Sequence, residues 1–70
     1  LAEIKAPMGG KVIKVSVEVG AKIAEDDEVA VLEAMKMEMP ILSEDEGTVA
    51  EIKVEAGQAV EAEQVLVVLN

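Results

Sequence analysis

In the stretch Leu32–Pro40, LEAMKMEMP, a single lysine stands between two methionines, with Glu33 and Glu38 outside them and a third methionine at Met39. Three of the chain's four methionines fall here. The reactive group on offer is the amine of Lys36, which can act as a base or nucleophile or can itself be acylated. To work unaided, a lysine needs burial or a neighbouring cation that weakens its hold on the proton. Lys36 has carboxylates as sequence neighbours instead. The chain contains no cysteine and no histidine, and all six basic residues are lysines, so neither a triad nor a thiol nucleophile can be assembled. Lys36 therefore reads as a place where something is attached, and the chain as non-catalytic.

Other stretches carry weaker chemistry. MGGKV (8–12) is a bare glycine pair beside a strand, better read as a turn than as a phosphate cradle. SEDEGTVAE (43–51) is rich in carboxylates, but its spacing is wrong for a calcium loop, and no metal site is expected. The four acidic residues 25–28 read as a turn. A net charge of −9 leaves no basic patch for nucleic acid or for an anionic membrane surface. No apolar run reaches transmembrane length and no signal peptide opens the chain, so membrane insertion is not expected. Lack of cysteine fits a reducing compartment, the cytoplasm or an organelle matrix. The first residue is leucine, which suggests a piece of a longer or processed chain.

The amine needs elements to position it, and these read as strands. Segments 11–17, 28–34, 37–42, 48–54 and 64–69 are short, rich in β-branched residues and bounded by glycine or acidic turns. Briefer edge strands are expected at 3–6, 22–24 and 59–61. The one helical candidate, 27–38, has no stop signal and runs towards Pro40. The chain reads as all-β. Seventy residues make one domain, 1–70, whose core comes from aliphatic residues because aromatic residues are absent.

An internal repeat orders the strands. A shift of 37 residues carries Gly10, Val12, Val15, Val17 and Gly20 onto Gly47, Val49, Ile52, Val54 and Gly57, and Val31 and Leu32 onto Val68 and Leu69. The half-repeats span about 3–33 and 41–70. The spacing of three then two residues through Val12, Val15 and Val17, repeated through Val49, Ile52 and Val54, predicts a bulge in both strands. Gly20 and Gly57 are expected at turns with positive φ. Packed about a pseudo-two-fold axis, the halves would form a flattened β-barrel or sandwich with one shared core. Met35 and Lys36 then fall at a tight hairpin where the halves meet. A tip lysine is ordinarily just a solvated charge. Exposed methionines beside it suit recognition by a partner.

Glu33-Ala34-Met35-Lys36-Met37-Glu38 resembles the attachment motif of the biotin carboxyl carrier (biotinyl) family, and IKAPMGGKV resembles its opening strand and turn. The resemblance covers essentially the whole chain. It implies a flattened barrel of two four-stranded antiparallel sheets, the barrel-sandwich hybrid shared by biotinyl and lipoyl carriers. It also implies biotin joined to Lys36 as an amide by a biotin protein ligase. Met35 and Met37, with Ala34, Glu33 and Glu38, would serve recognition. The arm would carry a carboxyl group between active sites of biotin carboxylase and carboxyltransferase or decarboxylase partners. Uninterrupted KVIKVSVEVGAKI leaves no room for the thumb of some acetyl-CoA carboxylase carriers. That is similar to thumbless carriers of other carboxylases, transcarboxylases and decarboxylases.

Two rival readings keep the fold. A lipoyl carrier of an acyltransferase complex also bears a tip lysine, but typically without flanking methionines. An unmodified hairpin interaction module would leave Lys36 bare. Among single residues, Met39 reads as core and the prolines as edge or strand-start positions, while Glu33 and Glu38 could be plain solvated charges.

Overall fold

The computed structural model describes residues 2–70. Eight strands follow one another: β1 (Ala2–Lys5), β2 (Gly10–Val15), β3 (Lys22–Ile23), β4 (Glu28–Ala34), β5 (Met37–Leu42), β6 (Gly47–Ile52), β7 (Ala59–Val60) and β8 (Val65–Leu69). They form two four-stranded antiparallel sheets, in the orders β1-β8-β6-β3 and β5-β4-β2-β7. Each sheet thus draws two strands from each half of the repeat. The inward faces share one core built on Val12, Val29, Leu32, Val49, Leu66, Val67 and Leu69, all buried. Each such side chain contributes on the order of 1.5–3 kcal/mol relative to leaving it in water.

The repeat is visible bond by bond. Gly20 N donates to Val49 O, and Gly57 N donates to Val12 O. Val12 N donates to Gln58 O while Val49 N donates to Ala21 O, and Ala6 N to Gln64 O is matched by Ser43 N to Asp27 O. The expected bulges are present, as register shifts between Val12 and Lys14 and between Val49 and Glu51. They also shorten the strands relative to the pattern, which carried them to residues 17 and 54. After Val15 and Ile52 the chain leaves one sheet for the other, although Ser16 N and Lys53 N still donate to Val29 O and Leu66 O. Val54 is buried on this crossing, so its apolar character serves the core rather than a strand.

Turn chemistry explains the acidic stretches. In residues 24–27, the Asp27 carboxylate accepts from Ala24 N at 2.8 Å. Gln64 does the same for Glu61 N at 3.0 Å in the equivalent turn. Asp26 and Glu63 take matching positive φ values of 72° and 69°. The glycine pair of MGGKV divides its duties. Gly9 lies in the bend, whereas Gly10 opens β2 so close to β4 that a Cβ there would collide with the Glu33 carbonyl oxygen. Gly47, its repeat mate, meets the Asn70 carbonyl in the same way.

Gly20 and Gly57 adopt φ of 93° and 91°, with open space where a Cβ would lie. Any penalty on substitution is therefore backbone strain alone. Gly20→Val and Gly57→Val are each expected to lower stability by about 1–2 kcal/mol or somewhat more, measured by urea denaturation. An unchanged midpoint would show that the turns relax freely.

Candidate functional site

Strands β4 and β5 form the longest ladder of the fold, running from Glu28↔Leu42 to Ala34↔Met37. Only Met35 and Lys36 lie between the last pair. Their φ values are 54° and 64°, both left-handed, which is the geometry of a two-residue type I′ hairpin turn. Such turns favour Asn-Gly because side chains are strained there. Neither residue here relieves that strain, so the tip is built from side chains chosen for something other than turning.

Lys36 is exposed, and no ion pair involves it among the described residues. Met35 and Met37 are 87% and 69% exposed. For large apolar side chains that is a cost to solubility unless a partner covers them. Met39, two residues on, points inward and packs against the core, as its alternation with Met37 suggests. Ala34 is buried beneath the turn, where its small size serves packing. Glu33 and Glu38 are directly opposite each other and both exposed. Like charges facing across a ladder are unfavourable, with Lys11, opposite Glu33 on β2, as the nearby counterweight. Pro40 lies on β5, the edge strand, where its missing N–H leaves no gap in the ladder.

The arrangement fits a covalently mounted group. The amine is accessible and in no ion pair, and it is held at the end of the longest ladder, while the side chain itself stays free to swing. Sequence reasoning placed the hairpin and its residues correctly. It missed Gly10, whose close approach to Glu33 locks β2 against the base of the tip; its coincidence with Gly47 in the repeat was the available signal.

Residues 2–69 match the family described as "Biotin-requiring enzyme". A biotin carboxyl carrier protein of Streptococcus mutans is 47% identical over 57 residues, covering 81% of this chain and 44% of the relative. A biotin/lipoyl attachment protein of Bacillus subtilis is 40% identical over 67 residues, covering 96% of this chain and 92% of the relative. Among solved structures, the urea carboxylase of Kluyveromyces lactis superposes with a TM-score of 0.91 at 29% identity, covering 99% of this chain and 6% of that one. The chain spans less than half the length of the S. mutans relative, and only 8% to 10% of the larger carboxylase subunits it also matches. The chain belongs to the biotin-requiring family, as a biotin carboxyl carrier domain. Biotin, rather than a lipoyl group, is its cofactor.

The strain at the tip has a measurable consequence. Met35→Asn, which suits the left-handed turn, is expected to raise stability by about 0.5–1 kcal/mol in thermal or urea melts. A loss of that size instead would mean that Met35 packs on the barrel after all.

Proposed function

We propose that Lys36 is the point of biotin attachment and that the domain is a non-catalytic swinging-arm carrier. The observation that carries this reading is the pairing of an exposed amine with a strained, methionine-flanked turn at the end of the longest ladder. With ATP activating the biotin carboxyl group, a biotin protein ligase would transfer its acyl carbon to Lys36 Nζ. The activating group leaves with the carboxyl oxygen and the ammonium sheds all but one of its protons, so a neutral amide replaces one positive charge on an already acidic domain. When bound, biotin supplies a ring nitrogen that can hold a carboxyl group in transit. What this chain supplies is position. The ladder fixes the root of the arm, the lysine methylenes give reach, and the tether replaces diffusion with a high effective concentration at each active site.

In this reading Met35 and Met37, with Glu33 and Glu38 on the flank, meet the ligase and the partner active sites. Those partners would be biotin carboxylase and carboxyltransferase or decarboxylase domains, in the cytoplasm or an organelle matrix where the ligase works. Among the described residues no helix is long and apolar enough to cross a membrane.

Lys36→Arg is expected to abolish labelling by ligase, biotin and ATP, with the melting transition unchanged, as read by intact mass and streptavidin capture. Capture of that variant would overturn the assignment. Met35→Ala and Met37→Ala are expected to change stability by less than about 0.5 kcal/mol while slowing carboxyl transfer or shifting preference between ligases. Destabilisation of several kcal/mol would assign both side chains to the core.

A further inference from the structure

The exposed large hydrophobic side chains of the described residues are Met8, Val19, Met35, Met37 and Leu42, and they are not scattered at random. β2 runs away from the tip, from Lys11 opposite Glu33 to Val15 opposite Ala30, so Val19, which follows it, lies at the far end. Leu42, opposite Glu28, closes the far end of β5. Met8 precedes Gly10, whose Cα side presses on the Glu33 carbonyl just below the turn. The bend containing Met8 therefore crosses the same end of the barrel as Met35 and Lys36. It is anchored there, since Ala6 exchanges backbone hydrogen bonds with Glu63 and Gln64, and Gly9 sits against the Val60 carbonyl. Met8 and the tip methionines thus lie on segments joined through the Gly10–Glu33 approach, whereas Val19 follows β2 at its other end and Leu42 lines a cavity with Ile4, Pro7 and Asp45.

Resting on the reading of Lys36 as the attachment site, we propose that Met8 is part of the surface by which the acylating ligase binds the domain. Methionine is the apolar side chain best able to adapt to a second surface, and the three exposed ones lie on two segments of chain that meet where Gly10 approaches Glu33. A patch on the hairpin alone could be gripped from one side only. With Met8 it becomes a two-segment face that only the folded barrel presents, so a ligase would distinguish this lysine from the other five by shape as well as by sequence. The facing pair Glu33 and Glu38 beside that patch, in a chain of net charge −9, fits a ligase surface with an apolar centre and a basic rim.

The test is steady-state biotinylation of the purified domain by a biotin protein ligase, read by intact mass. Met8→Lys is expected to raise the KM for the domain by about fivefold to tenfold with little change in kcat. Met8→Leu should stay near wild type. Val19→Lys, which makes the same charge change at the opposite end, should leave KM within about twofold of wild type. Should Met8→Lys fail to fold, Met8→Ser carries the same expectation of a raised KM. Equal KM values for the Met8 and Val19 variants would overturn the proposal, as would a rise matched by lost thermal stability. If wild type itself is not labelled, the attachment reading falls; if it is labelled and Met8→Lys is labelled equally well, only this inference falls.

Discussion

Neither half of this barrel can complete its hydrogen bonding without the other. The turn at Gly20 is tied to Val49, and that at Gly57 to Val12, so each half's first crossing is secured on the opposite half's central strand. The short strands β3 and β7 pair only with β6 and β2, again across the repeat. A chain of 70 residues without aromatic residues or cysteines has little core to spare. Interlocking lets both halves bury Val12, Leu32, Val49 and Leu69 in common.

The hairpin follows from that interlock. The symmetry makes β8 the mate of β4 and β1 the mate of β5, and accordingly β4–β5 and β8–β1 are both antiparallel neighbours. Only the β4–β5 pair is joined by a turn; Ala2 and Leu69 face each other as separate ends of the described chain. One end of a nearly symmetric object is thereby made different by two residues. Nature's usual choice for those positions is Asn-Gly, which would close the turn at less cost. Retaining Met-Lys there stores backbone strain at a point where the surrounding ladder can bear it.

Much of this was legible in the residues. Period-two runs, the glycine spacing and the 37-residue shift between Gly10 and Gly47 sufficed to place all eight strands, both bulges and the position of Lys36. What the pattern did not yield was where apolar residues leave the sheet. Val17 and Val54 alternate as strand residues do, yet they pack on the crossing between sheets, because the core accepts an inward side chain whether or not its backbone is laddered. The burial of Ala34 was likewise hidden: read along the motif it looked like part of a recognition sequence, whereas its inward direction comes from the register with Met37. The opposition of Glu33 and Glu38 also needed that register.

A carrier has two mechanical requirements that conflict in most small domains: a fixed root and a mobile arm. Flexible loops meet the second and fail the first, since a mobile root spreads the arm's end over a larger volume and lowers its effective concentration at each active site. Here the arm is a single side chain, whose rotatable bonds supply the reach from a two-residue turn. The backbone beneath it is held by β4, a central strand paired to β2 through Ala30–Glu33 and to β5 up to Ala34, with β2 pressed against it at Gly10. A longer, glycine-rich tip would ease the turn and blur the root. The two left-handed residues are thus the shortest connection that keeps the amine clear of the barrel while leaving the ladder intact up to its last pair.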